Sequence, residues 1–208
     1  MELVYASLIG YALGCINPCF LIGKLKGIDV REFGSKNPGA SNAKILFGWK
    51  YFFIVFLYDS TKAMISMFIA KALFPLNHQA FTLAGVAAII GHMFPFYLKF
   101  KGGKGAASSV GFILALDWKA GLIALAISVG VSLIFNWIVL MTYTLAIFNP
   151  LYCYLNFPKE IYALIGLLFI SFFMFKKHMV NIKKLINKKE IGINGNYVGT
   201  KIKAEIDK

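Results

Sequence analysis

The residues best able to do chemistry lie in three short polar stretches of an otherwise apolar chain. The most distinctive is Phe100-Lys101-Gly102-Gly103-Lys104-Gly105, set between two apolar runs. Glycine lets backbone N–H groups approach a ligand closely, and a helix opening there aims its positive end at an anion. With Lys101 and Lys104 beside the glycine pair, the stretch is an anion cradle, and phosphate is its natural occupant. A second loop, Gly34-Ser35-Lys36-Asn37-Pro38-Gly39-Ala40-Ser41-Asn42, has the same mixture of glycine, hydroxyl and amide groups. The third stretch carries His178 and Asn181 in a lysine-rich tail. Their spacing fits either an exposed helix face or two groups reaching one ligand.

Three further polar residues sit inside apolar runs. Asp59 and Lys62 share one face of a helix, and a helix starting near Lys50 places Asp59 about 13 Å along it. Each ion alone would cost about 2.5–3.5 kcal/mol inside the bilayer, so the two should pair or face a polar cavity. They read equally as a structural ion pair and as the wall of a site. His92 precedes the glycine loop by about ten residues, and Pro95 should bend the chain toward that loop. It is either a helix–helix hydrogen-bonding group or a proton acceptor whose ordinary pKa suits general base work.

The elements that must position these residues are membrane helices. The chain is 59% hydrophobic and 15% charged, whereas a soluble domain carries about a quarter charged residues. Several apolar runs approach the roughly 20 residues that a spanning helix needs. An all-α, polytopic helix bundle follows, in one domain over 1–208, with seven spans near 3–23, 50–73, 79–97, 105–117, 119–135, 137–155 and 160–175. The fourth is short, and only Asn136-Trp137 separates the fifth from the sixth. Asn17-Pro18 should kink or end the first. Eighteen of the 22 basic residues fall in 24–50, in 98–105 or after position 175; Lys71, Lys119 and Lys159 fall opposite, with Lys62 inside a span. This asymmetry predicts an odd number of crossings, the N-terminus outside, and the C-terminus and glycine loops on the cytoplasmic side.

The net charge of +13 could suit nucleic acid, but the aromatic residues lie in the apolar runs and no nucleic-acid motif is present. Anionic lipid headgroups account for the charge. The first apolar run starts Met1-Glu2-Leu3 and is followed by basic residues, so it does not read as a secretory leader. Cys15, Cys19 and Cys153 form neither a disulfide framework nor a metal site. Met179, Ile182, Leu185 and Ile186 make an apolar stripe along the tail, which predicts an interfacial amphipathic helix after the last span. Residues 194–208 should be loosely ordered. Ser128, Ser132, Thr142, Thr144 and Asn149 read as interhelical glue ahead of the alternative, the lining of a cavity.

Taken in order, these stretches resemble the bacterial membrane acyltransferases that acylate glycerol 3-phosphate with acyl-phosphate. The 34–42 loop is similar to that family's first motif, Asp59 and Lys62 to its polar pair, and Gly91-His92 with Phe94-Pro95 and 100–105 to its second motif. His178, Asn181 and Glu190 fall at the spacing of the third. The resemblance implies transfer of a fatty acyl group to the 1-hydroxyl of glycerol 3-phosphate, giving 1-acylglycerol 3-phosphate and phosphate, the first step of phospholipid synthesis. It implies no cofactor or metal, a bacterial inner-membrane location, a monomer, and a partnership with the enzyme that makes acyl-phosphate. Ser35, His92 and Lys104 would be catalytic. Gly34, Asn37, Gly39, Asn42, Asp59, Lys62, Gly102, Gly103, Gly105, His178 and Asn181 would bind substrate, and Glu190 would tie down the tail. Within that frame, Lys104 and the 102–105 backbone take phosphate, Ser35, Asn37 and Asn42 contact phosphate or the acyl carbonyl, and His178 and Asn181 hold the glycerol phosphate. The proton acceptor is His92 or a substrate phosphate. The chain departs from the family at Ile45, where an arginine is expected, and also at Lys36, Ala63 and Lys188. Two expectations therefore stand: a working acyltransferase in which Lys36 or Lys44 supplies the missing charge, or a non-catalytic relative that binds lipid phosphate or a partner.

Overall fold

A computed structural model describes residues 1–186, with side chains to 182. Its helices are α1 (Glu2–Cys15), α2 (Pro18–Leu25), α3 (Ala40–Phe47), α4 (Trp49–Leu73), α5 (His78–Met93), α6 (Ala106–Leu116), α7 (Trp118–Ile134), α8 (Val139–Asn156) and α9 (Ile161–Ile186), with a 3-10 turn at Phe96–Leu98. The all-α polytopic bundle expected from the hydropathy is the observed fold. Glu2–Leu25, Trp49–Leu73, His78–Leu98 and Ile161–Ile182 are each long and apolar enough to cross a membrane, while α6 and α7 are apolar but shorter. The expectations for Glu190 and 194–208 lie outside the described residues.

Asn17-Pro18 breaks the first span. Proline lacks an N–H and drives the residue before it into extended backbone. Asn17 is accordingly extended, and its side chain caps α2 by accepting from the Phe20 N–H at 2.8 Å. The carbonyls freed by the break find partners elsewhere: Tyr97 O–H donates to Cys15 O at 3.0 Å and Lys62 Nζ to Ile16 O at 2.9 Å. The break thus ties the first span to the two elements that carry the site.

α5 is the central column, packed on α1, α4, α6 and α9. Twelve of its 16 residues are buried, among them Ala84, Ala88, Ile89 and His92. Gly10 and Gly14 of α1 lie against the carbonyls of Ala84 and Ala88, where any Cβ would overlap backbone. Phe112, Ile113, Leu145, Leu167 and Met174 complete the core around α5.

At 11 residues α6 is about 16 Å long, roughly half of a 30 Å hydrocarbon core. The chain ahead of it is non-helical and buried at Gly102, Gly103 and Gly105, so the glycine loop enters the bundle instead of lying across its end. Irregular backbone at such depth is tolerated where it lines a cavity.

The tail departs from expectation. Instead of a span ending near 175 followed by a separate interfacial helix, α9 runs without a break from Ile161 to Ile186. No proline interrupts it, and its single glycine, Gly166, packs on Val86. The change to lysine at Lys176 alters the helix surface but not the backbone.

Candidate active site

The three polar stretches converge at one end of the bundle around a cavity of about 1240 Å³. Gly34, Ser35, Asn37, Gly39, Asp59, His92, Gly102, Lys104, Gly105, His178 and Asn181 all line it. Asn42, Lys62 and Gly103 stand behind its wall and support lining residues.

The first loop is built on Asn42. Fully buried, its side-chain amide donates to the carbonyls of Val30 at 2.7 Å and Phe33 at 3.2 Å, and its Oδ1 accepts from the Ser35 N–H at 2.7 Å. Asn42 is therefore occupied in shaping the loop and holding Ser35 in place, a task different from the ligand contact the family resemblance implied. Asn17 Nδ2 donates to Pro38 O at 2.9 Å and anchors the far side of the loop. Arg31, the only arginine, forks onto Asp29 at 2.6–3.1 Å and donates to Leu98 O at 3.2 Å, linking the first loop to the second. The hydrogen bonds from that guanidinium hold the Asp29 carboxyl below its ordinary pKa.

Beneath the loops lies a buried polar cluster. Lys62 and Asp59 pair at 2.8 Å as their spacing predicts, and Lys62 Nζ also lies 3.0 Å from His92 Nδ1. His92 Nδ1 is 3.2 Å from the same Asp59 oxygen. Lys62 Nζ thus donates to Ile16 O and Asp59 Oδ1, and His92 Nδ1 stands within 3.2 Å of both Lys62 Nζ and Asp59 Oδ1. Ser108 Oγ donates to Asp59 O at 2.8 Å and fixes the start of α6 against the cluster.

The second loop folds back on α5, with Gly102 N–H donating to Met93 O at 3.2 Å and Gly103 N–H to His92 O at 3.0 Å. A Cβ at Gly103 would overlap His92 Nε2, so this close approach requires glycine. Gly105 caps α6 with a left-handed φ of 93°. Lys104 reaches the end of α9, donating to Asn181 Oδ1 at 2.7 Å and lying 3.4 Å from His178 Nδ1. Because an ammonium only donates, the His178 nitrogen facing it acts as acceptor, leaving the proton on Nε2. That Nε2 is buried with no hydrogen-bond partner among the described residues.

Away from these groups the cavity is mostly apolar, with Ser132 of α7 and Thr142 of α8 also on its wall. Phe52 and Phe56 of α4 face Val129 and Leu133 of α7 and Val139 and Met141 of α8. Leu133 is 58% exposed, so the cavity reaches the bundle surface there. Ile45 also lines the wall, with Lys44 beside it and the Lys44 Nζ held 3.9 Å over the Trp49 ring. Sequence reasoning missed Lys177, whose ammonium contacts three carbonyls around the second loop. Its place directly before His178 was the only available signal.

A helix bundle with a cationic, amide-rich pocket at one end, an apolar flank and helices long enough to span a bilayer defines an integral membrane protein. Known proteins agree with that class. A sequence model described as glycerol-3-phosphate acyltransferase matches residues 4–188. Glycerol-3-phosphate acyltransferase 1 of Oceanobacillus iheyensis is 38% identical over 203 residues, covering 91% of this chain and 94% of that protein. The glycerol-3-phosphate acyltransferase of Desulfotalea psychrophila is 40% identical over 197 residues, covering 91% and 97%. The crystal structure of PlsY, an integral membrane glycerol 3-phosphate acyltransferase, in its glycerol 3-phosphate form superimposes with a TM-score of 0.83 at 30% identity, covering 93% of this chain and 96% of that one. The chain belongs to the glycerol-3-phosphate acyltransferase family.

Proposed function

We propose that the protein transfers a fatty acyl group from acyl-phosphate to the 1-hydroxyl of glycerol 3-phosphate. The hydroxyl oxygen forms the new ester bond, the acyl carbon–oxygen bond to phosphate breaks, and phosphate leaves. The hydroxyl proton passes to His92 or to a substrate phosphate. The observation that carries this reading is a single cavity joining the Lys104–His178–Asn181 cluster and the start of α6 to an apolar flank between α4 and α7–α8. Two phosphates and an acyl chain need that combination, and the volume exceeds the roughly 300–1,000 Å³ of an ordinary small-molecule site. In this scheme Lys104 and the 102–105 backbone stabilise the phosphates, Ser35 and Asn37 act from the first loop, and the buried Nε2–H of His178 with Asn181 orients glycerol phosphate. Catalysis rests on positioning and charge stabilisation, since acyl-phosphate is already activated. The basic end of the bundle faces the cytoplasm.

Purified protein supplied with acyl-phosphate and labelled glycerol 3-phosphate should yield the monoacyl product. A folded preparation without turnover, not rescued by Ile45→Arg, would overturn the reading. One observation favours a second reading, that of a lipid-phosphate binder without catalysis. Aliphatic Ile45 lines the cavity wall, and its neighbour Lys44 is engaged with Trp49. Retained phosphate binding without turnover would select it.

A further inference from the structure

The glycine pair of the second loop cannot hold its own shape. Gly102-Gly103 has the freest backbone of any dipeptide, so its conformation must be imposed from outside. The N–H side is fixed by α5, through Met93 O and His92 O. The carbonyl side is fixed by one residue of α9. Lys177 Nζ donates to Met93 O at 2.7 Å, Gly103 O at 2.8 Å and Gly102 O at 3.3 Å, and lies 4.6 Å over the Phe94 ring. An ammonium carries three N–H groups and no acceptor, and here all three are matched by backbone carbonyls.

We propose that Lys177 is the positioning residue of the phosphate loop. The proposal rests on the reading of 102–105 as a phosphate site and deepens it. Two physical effects support it. The peptide bond is planar and trans, so holding Gly103 C=O toward Lys177 turns the following N–H, that of Lys104, the opposite way. Second, three carbonyl oxygens converging beside an anion site would present negative dipole ends to a phosphate, and the Lys177 charge offsets them. The neighbouring residues His178 and Asn181 meet Lys104 from the same stretch of α9. One helix end therefore sets both the backbone of the loop and the side chain of its lysine.

The test compares wild-type protein with Lys177→Met, Lys177→Gln and Lys177→Arg. It measures amide exchange at residues 102–105, thermal unfolding, KM for glycerol 3-phosphate and inhibition by inorganic phosphate. Loss of charge-assisted bonds predicts that Lys177→Met raises KM and the phosphate inhibition constant by about ten- to a hundredfold, with faster exchange confined to the loop. Arginine should restore most of the loss and glutamine part of it, with kcat changing less than KM. If methionine prevents folding, the glutamine and arginine variants carry the comparison. Unchanged loop exchange and KM in Lys177→Met overturn the proposal, as does a loss that arginine fails to restore or one that falls on kcat alone. Should wild-type protein prove inactive toward glycerol 3-phosphate, the acyltransferase reading fails. Amide exchange with and without inorganic phosphate still decides the role of Lys177.

Discussion

The two ends of the bundle use similar polar residues for opposite purposes. At the end away from the cavity, polar groups satisfy one another: Asn77 donates to Glu2 at 2.7 Å, and Glu160 takes His78 at 2.7 Å and Thr82 at 2.6 Å. Asp117 caps α7 and accepts from Tyr152 at 2.6 Å. At the cavity end, cationic and N–H groups from separate elements converge on one space. Lys104, the His178 Nε2–H and the start of α6 surround it; of the lining carboxylates, Asp29 pairs with Arg31 and Asp59 with Lys62, while Glu32 is exposed. Self-sufficient polarity closes a helix bundle, and a convergence of cationic and N–H groups marks where an anion belongs.

That contrast can be broken at its deepest point first. Asp59→Ala removes the anion between Lys62 and His92, leaving a buried ammonium unpaired, and should cost about 3–5 kcal/mol of stability, read as a lower unfolding temperature in detergent. A variant as stable as wild type would mean that the cluster relaxes or stays solvated. Next comes the cationic convergence itself. Lys104→Ala should lower kcat/KM by about 10²–10³-fold while leaving unfolding nearly unchanged, because its partners are other site residues and not the core. Unaltered kinetics would remove the phosphate assignment of the loop.

Asn42→Ala sharpens the line between holding a ligand and holding a loop. Three loop hydrogen bonds vanish, the Val30 carbonyl and the Ser35 N–H lose their partner while Phe33 O keeps the Lys36 N–H at 3.0 Å, and about 1–3 kcal/mol of stability should go with them. Activity should fall through Ser35, with no change in which substrates are used. The distinction shows what the sequence displayed and what it hid. Helical segments, the Asp59–Lys62 pair and the three polar stretches were readable because periodicity, charge cost and glycine content are written in residue types. The inward turn of Asn42 was not, since its partners are backbone carbonyls, which every residue possesses. Lys177 was hidden for the same reason, as one more lysine in a basic run. The continuity of α9 was masked by a composition change at Lys176 that resembles a membrane boundary, although nothing there breaks a helix. Glu160 and His78 meet across 82 positions, and only the antiparallel packing of the bundle brings them together.

The smallest effect is expected at the self-satisfied end. Glu160→Gln keeps an amide oxygen for the Thr82 hydroxyl and loses only the charge facing His78, whose side chain is 54% exposed. The Glu160 side chain is itself 7% exposed, but solvent screens the pair from the His78 side, so the change should cost about 1 kcal/mol and leave kcat/KM within twofold of wild type. Thermal unfolding and initial rates on the same preparation check both halves. A tenfold loss of activity without loss of stability would show that the far end communicates with the cavity through α5, which carries His78 at its start and His92 at its last turn. The bundle would then be a coupled lever instead of a rigid frame, and the contrast between its ends would have to be redrawn as a difference in ligand exposure alone.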